Sequence, residues 1–599
     1  MVEIDGYRCL QAMVPMRDGV RLNTFVYLPA QGGPRFPVIV QRTPYGITAI
    51  QGVDSHDPTK GWLPDPARPM AGALKQGWRR IVEHGYAAVY QDCRGRNGSE
   101  GEDHVYGDDA TDGYDLLEWI DAEPWSDGNV GLSGSSAAST TALAAASQRH
   151  RSVRAFFAQV GGSSIYNDVV YEGQSIELER LWLWVANNIP GLSASHREAV
   201  RARTGLTEGE LDGVAASARQ RYLALDGARH QRPPYVGAAE WMHLPLLGYP
   251  DFSIWQPYLD ELISHPTPDD FRARHDFRAT IDVPGFHVTS WFDIFSTSVI
   301  SAFTELSARV GQQRLWVGPN DHYFVYEQQF WSRDPYFEWF DHWLKGIATP
   351  LMDEPPVYFS PRCWVADPGT YVADDWCHAA SWPPEEATST SWFLHGDGRI
   401  EEQPSASTAA AASSTFRYDP RHPIPTLGGR NMLITAGARD QRPVQEHVDY
   451  GLLYRSDPLT HDLTVAGPVE VLVQFESDCP DTDVVVKLVE QHPDGRSVLL
   501  MDGVTRAMYR NGGAEAELLR PGIAVAVRVQ LGQIHHRLSA GNRIGVDITS
   551  SNFPRRARNT NSGHPLVAAD TEADLRVATN TVHHAPTQES LLIMSVMPS

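Results

Sequence analysis

A serine among small residues stands at position 136, in Val130-Gly-Leu-Ser-Gly-Ser-Ser136-Ala-Ala-Ser-Thr140, between a short apolar run and the alanine-rich stretch Ala137–Ala146. Small neighbours let a chain turn sharply from strand to helix, and that turn is how an α/β-hydrolase exposes a nucleophilic hydroxyl. Four serines compete here. Ser136 has Gly134 two residues before it, which suits the turn. Ser133 belongs to the incoming strand, Ser135 points the other way and Ser139 lies one helical turn in. A serine attacks a carbonyl when a base takes its proton, an acid orients the base and donors face the oxyanion. The acid is expected after a later strand and the base one strand further on. Asp293, in Trp291-Phe-Asp-Ile-Phe295, and His322, in Leu315-Trp-Val-Gly-Pro-Asn-Asp-His322, occupy those places. Asp293 also reads as a helix N-cap. Asp321 is the alternative acid, but adjacent side chains diverge, so it reads as a solvated or loop-binding carboxylate. The expected oxyanion donors are the Ala137 N–H and the Tyr45 hydroxyl, in Gln41-Arg-Thr-Pro-Tyr-Gly46. A tyrosine packed on the turn is the plainer reading of Tyr45.

The elements that must carry these groups alternate in type. Strand signals occur at Val20–Leu28, Phe36–Val40, Gly85–Tyr90, the run into Ser136 and Val153–Val160. Ala110–Ala122 has helical spacing of its apolar residues. This rhythm predicts a mainly parallel sheet with helices on both faces. From 163 to 277 it breaks. Glu172–Asn188, Ser193–Arg203 and Glu208–Leu225 read as helices of an inserted cap. Strands resume at Val283–Val288 and Gln313–Val317, and a helix at Tyr336–Leu344 closes the unit. Beyond 350, alternating stretches at Val469–Phe475, Val484–Val489, Ile523–Leu531 and Ile544–Ile548 predict a β-sandwich of the jelly-roll kind. Glu402–Thr415 reads as an exposed loop. The expected division is 1–162 with 278–349 as an α/β-hydrolase domain, 163–277 as the cap and 350–599 as the β-sandwich.

Composition narrows the function. The 599 residues, 42 % hydrophobic, can bury large cores. A formal charge of −24 without a basic stripe argues against nucleic-acid binding. No apolar run reaches membrane-spanning length and no secretory leader is visible, so neither a membrane partner nor export is expected. Five scattered cysteines without a Cys-x-x-Cys pair argue against disulfides or a zinc ribbon and fit a cytoplasmic protein. No metal or organic cofactor is expected.

In order along the chain, these segments resemble the cocaine esterase and X-Pro dipeptidyl-peptidase group of serine hydrolases, the CocE/NonD hydrolases. They include Met16-Arg-Asp-Gly-Val20, Arg42-Thr-Pro-Tyr45, Gln91-Asp-Cys-Arg-Gly-Arg-Asn-Gly-Ser-Glu-Gly101, Asp112-Gly-Tyr-Asp115, Pro124-Trp-Ser-Asp-Gly128, Gly318-Pro-Asn-Asp-His322, Phe340-Asp-His-Trp-Leu-Lys-Gly346, Asp481-Thr-Asp483, Asp502-Gly503, Arg506-Ala-Met-Tyr-Arg510 and Ser550-Ser-Asn-Phe-Pro-Arg555. The resemblance implies an α/β-hydrolase, a helical cap and a jelly roll. It implies Ser136 as nucleophile, Asp293 as acid, His322 as base, and Tyr45 with the Ala137 N–H as oxyanion hole. The chain departs from the family pattern at Ala137, usually aromatic, at Ser139, usually glycine, and at Asn320, often tryptophan.

The expected reaction is cleavage of a small ester or amide through an acyl-enzyme. Trp182, Trp184 and Phe295 are candidate pocket walls, with plain core packing the alternative for each. An X-Pro dipeptidyl aminopeptidase would need a carboxylate for the substrate ammonium, and Glu172, Glu177 and Glu179 are the candidates. An acyltransferase would use the same acyl-enzyme. Outside enzymes, the alternative is a glycan-binding protein with an inactive hydrolase domain. A homodimer is left open.

Overall fold

A computed structural model describes residues 2–4, 7–47, 77–226, 239–322, 334–361, 363–364, 376–404, 413–432, 434–447 and 449–598. Part of the expected loop Glu402–Thr415 lies outside them. In chain order the first unit contributes β1 (Val2–Ile4), β2 (Tyr7–Pro15), β3 (Arg21–Leu28), β4 (Phe36–Thr43), β5 (Ala87–Asp92), β6 (Ser126–Ser135) and β7 (Val153–Gln159). A short hairpin, β8 (Tyr171–Glu172) and β9 (Ser175–Ile176), follows. Then come β10 (Gly285–Phe292), β11 (Gln313–Asp321), β12 (Val357–Phe359) and β13 (Cys377–Ala379). Apart from the hairpin they form one sheet in the order β1-β2-β3-β5-β4-β6-β7-β10-β11-β12-β13. The stretch from β5 to β12 is parallel and the two ends are antiparallel.

Strand alternation sorts the core into two layers. Val38, Val40, Phe156 and Ala158 face the helices Asp109–Ala122 and Ala137–Ala146. Ile39, Ala155, Phe157 and Phe286 face the helices Trp78–Glu83 and Pro335–Lys345. Residues i and i+2 share a sheet face, so each strand here is apolar on both sides, as a sheet covered on both faces requires. β12 and β13 extend the outer edge of this sheet past residue 349, where the sequence pattern changes.

Between β7 and β10 lies the cap. Its helices include Leu178–Asn188, Ala194–Thr204 and Glu208–Asp226. Ser193 caps the second, accepting the His196 N–H, and Gly205 ends it in a left-handed conformation. The first helix is shorter than the expected Glu172–Asn188. Residues 171–176 form the β8–β9 hairpin instead, turning at Gly173 and Gln174, both with positive φ. A β-carbon on Gly173 would collide with the Val504 carbonyl, and that same contact holds the hairpin against the C-terminal domain. The Arg506 N–H donates to the Gly173 carbonyl at 2.8 Å.

The C-terminal domain is all-β. Leu463–Ser477 is its spine and pairs with Val525–Leu538, Ala578–His583 and Ser590–Val596. Its register against Ser590–Val596 shifts between Val465 and Val469, at Gly467 with φ +136. Such an irregularity bends the strand locally and increases its twist. Val465, Val469, Val471, Val473 and Phe475 are buried at every second position along it. Among the described residues, no helix is long and apolar enough to cross a membrane.

Candidate active site

β4, β6, β10 and β11 end on one edge of the parallel sheet, and Tyr45, Ser136, Asp293 and His322 follow them in turn. Ligand sites of open α/β sheets lie outside the carboxyl ends of the strands. The sheet order therefore brings together four groups spread over 278 positions, from residue 45 to residue 322.

Ser136 joins β6 to the helix Ala137–Ala146 with φ 57 and ψ −128, which a non-glycine residue adopts only under strain. Three contacts hold it there. Its N–H donates to the Gln159 carbonyl at 2.9 Å, and its carbonyl accepts from Ser139 and Thr140 at 2.9 and 3.1 Å. The turn is too tight for side chains nearby. A β-carbon on Gly134 would overlap the Ala138 carbonyl, and one on Gly161 would overlap the Ser139 side chain. Serine is thus accommodated at 139 because the facing residue on the β7 side is a glycine. That compensation was not visible in the sequence, since residues 139 and 161 lie on different elements.

The Ser136 hydroxyl is 3.0 Å from His322 Nε2. His322 Nδ1 is 2.6 Å from Asp293 Oδ1, and Asp293 Oδ2 accepts from the Thr289 hydroxyl at 2.7 Å. Asp293 is fully buried, so both oxygens are held by protein donors and the imidazole has one available orientation. Thr289 is a contact that sequence reasoning missed; a hydroxyl near a strand end carries no distinguishing signal. Asp321 ends β11, half-buried, beside His322 but not on its Nδ1.

The Tyr45 hydroxyl lies 3.4 Å from Ser136 Oγ. Ala137 opens its helix, where the first N–H groups have no intrahelical acceptor. The Tyr45 loop is anchored from below. Arg42 is buried and donates to Gln91 and Asp109 at 2.8 and 2.9 Å. Burial pushes the Asp109 carboxyl up to about 6 despite the opposing Arg42 charge.

The three expected pocket aromatics separate. Phe295 sits edge-on to His322, ring centroids 5.8 Å apart. Trp182 is buried in the cap against Tyr249 and Phe252. Trp184 is half-buried and stacks on Tyr106, near Pro44.

The three cap glutamates are engaged within the protein. Glu172 pairs with Arg556 at 2.8 Å, Arg430 at 2.9 Å and Arg555 at 3.4 Å. Burial alone would raise its carboxyl, but Arg430, Arg556 and Arg555 hold it well below the usual carboxylate range. Glu177 pairs with Arg556 and with Arg180 at 3.2 Å, and Glu179 accepts the Ile434 N–H at 3.1 Å. Apart from the Glu177–Arg180 pair inside the cap, these contacts bind cap to C-terminal domain. Nothing in the sequence marked Arg430 or Arg556 as partners of these glutamates, and Arg555 stands out only as the end of the Ser550–Arg555 segment.

Residues 18–324, more than half of the chain, match the X-Pro dipeptidyl-peptidase (S15 family) profile. Residues 352–593 match the X-Pro dipeptidyl-peptidase C-terminal non-catalytic domain. The chain is 29 % identical to a cocaine esterase of Rhodococcus sp. (strain MB1 Bresler) over 98 % of each chain. It is 25 % identical to a putative serine esterase of Mycobacterium bovis over 84 % of this chain and 81 % of that one. In fold it is similar to an α-amino acid ester hydrolase (TM-score 0.76, 21 % identity, covering 100 % of this chain and 98 % of that one). It is similar also to an aminopeptidase from a marine sediment Thaumarchaeota archaeon (TM-score 0.73, 22 % identity, same coverage). Its N-terminal hydrolase domain and C-terminal all-β domain are those of serine hydrolases that cleave esters or peptides, and the chain belongs to the X-Pro dipeptidyl-peptidase (S15) family.

Proposed function

We propose that the protein is an esterase acting on a small acyl ester through an acyl-enzyme on Ser136. The observation that carries this reading is the unbroken relay from Asp293 through His322 to Ser136, at 2.6 and 3.0 Å. His322 Nε2 takes the hydroxyl proton as Ser136 Oγ bonds to the substrate carbonyl carbon. The tetrahedral oxyanion accepts from the Tyr45 hydroxyl and the Ala137 N–H, two donors placed before the reaction begins. The intermediate collapses, the C–O bond to the leaving alcohol breaks, and His322 returns the proton to that oxygen. Water then attacks the acyl carbon, giving its proton to His322, and the acid leaves as Ser136 recovers its hydrogen. Phe295 walls the site beside the base and favours an apolar acyl or alcohol group.

Ester substrates are favoured over dipeptides because Glu172, Glu177 and Glu179 are tied into cap and C-terminal contacts, which leaves none of them to receive a substrate ammonium. The name of the Rhodococcus relative supports the same class. The test compares nitrophenyl esters with an X-Pro-nitroanilide. Ester turnover with at least roughly 10⁴-fold loss in Ser136→Ala supports the proposal. Release of dipeptide with no ester turnover would replace it by the peptidase reading.

A further inference from the structure

Arg96 plays no part in the relay, yet it ties the Tyr45 loop to the cap. The glycine-rich loop pairs with the cap through its backbone. The Asn97 N–H donates to the Gly191 carbonyl at 2.8 Å, the Ser193 N–H to the Gly95 carbonyl at 2.9 Å, and Arg96 bridges Leu192. From that bridge the buried Arg96 side chain turns back towards the hydrolase sheet. Its Nε–H donates to the Pro44 carbonyl at 2.9 Å, one residue before Tyr45. Its Nη2–H donates to the Asn188 carbonyl at 2.8 Å, at the end of the cap helix Leu178–Asn188. Nη1 pairs with Asp103 at 3.4 Å. Asp103 in turn accepts from the Trp255 indole of the cap at 3.3 Å, and its N–H donates to His196 Nδ1 at 3.0 Å.

One rigid guanidinium therefore holds the carbonyl before the oxyanion tyrosine and the end of a cap helix at the same time. A guanidinium is planar, and its donors point in fixed directions, so a shift in one acceptor is felt by the others. The route is closely fitted. A β-carbon on Gly191 would lie 2.5 Å from Arg96 Nη2. The chain nearby is also strained, with Asn97, Val105 and Tyr106 all at positive φ. Val105 reaches the cap core from that turn.

We propose that Arg96 is a positioning residue that locks the Pro44–Tyr45 backbone to the seated cap, so that the Tyr45 hydroxyl faces the oxyanion when the cap is docked. This rests on the reading of Tyr45 as an oxyanion donor. Donor placement governs transition-state stabilisation far more than substrate binding, so the effect falls on kcat.

The test is a double-mutant cycle in the full-length enzyme, reading kcat and KM for a nitrophenyl ester. Arg96→Met is expected to lower kcat about tenfold, with KM changed less than about twofold. In the Tyr45→Phe background the same change is expected to have no further effect. Gly191→Ala, which intrudes on the guanidinium from the cap side, is expected to reproduce the loss and to be silent in the same background. Losses that multiply with that of Tyr45→Phe, or an unchanged kcat in Arg96→Met and Gly191→Ala, overturn the inference. An unchanged kcat in Tyr45→Phe alone overturns the oxyanion reading instead. If Arg96→Met does not fold, Arg96→Lys and Gly191→Ala decide by the same cycle.

Discussion

The fully buried Asp293 presents one oxygen to His322 and the other to the Thr289 hydroxyl. Replacing it by asparagine keeps the shape but puts an amide where one of those oxygens was. Thr289 donates, so it keeps the amide oxygen on its own side and turns the NH₂ towards His322. The imidazole must then accept at Nδ1, which leaves Nε2 protonated and unable to take the serine proton. Asp293→Asn is expected to lower kcat about 10⁴-fold at neutral pH with little change in KM, measured by steady-state hydrolysis of a nitrophenyl ester. Tyr45→Phe removes one donor and leaves the relay intact, so its expected cost is smaller, about 10²-fold in kcat. The ratio of the two losses separates the relay from the oxyanion hole. Ser136, Asp293 and His322 could be singled out because each stands after an apolar run at the expected rank along the chain, and the fold brings them to 3.0 and 2.6 Å of one another. Thr289 and Arg96 could not, since their partners are set by the folded backbone.

At the scale of the element, the strand-to-helix turn depends on two missing side chains. Gly134 clears the Ala138 carbonyl and Gly161 clears Ser139. Adding a methyl at 161 overpacks the turn, and overpacking costs roughly 1–3 kcal/mol. Gly161→Ala is expected to lower the thermal midpoint and to depress kcat by displacing Ser136. Adding Ser139→Gly is expected to recover part of both, because the clash with the Ser139 side chain goes while the contact with the Ser136 carbonyl, 2.9 Å from the added β-carbon, remains. Calorimetry and ester turnover on the two variants check this. A helix was expected from Glu172. The structure starts it at Leu178 because Gly173 and Gln174 turn the chain into a hairpin pressed on Val504. Glu172-Gly-Gln-Ser175 carries a glycine and no apolar residue, so the spacing that marks the helix begins only at Leu178.

Across the whole molecule, buried histidines contribute to the loss of stability in acid. Burial pushes His287 down to about 4, against the opposing hydrogen bond with Gln313 at 3.0 Å. Burial likewise lowers His535 and His584 to about 4. For each, the folded value lies below the unfolded one, near 6.5. The unfolded chain binds the extra proton between these values, so stability is complete above about pH 6.5 and falls as pH drops towards 4. One such residue accounts for up to about 3 kcal/mol. The urea midpoint is expected to fall between pH 7 and pH 5, and His287→Gln is expected to shallow that slope. An unchanged slope in the variant would show that His287 is not one of the groups taking up protons.

The local chemistry was written in the sequence. A serine among small residues, an ordered series of strands and helices, and two apolar faces per strand are properties of neighbours a few positions apart, so spacing and residue type reveal them. Tertiary structure decided what depends on distant segments meeting. It committed Glu172 and Glu177 to Arg430, Arg555 and Arg556, placed Gly161 opposite Ser139, and joined Pro44 to Asn188 through Arg96. Those contacts join side chains whose separation along the chain carries no periodic signal. They exist because burying a charge or a tight turn requires a partner in space, wherever the chain brings it from.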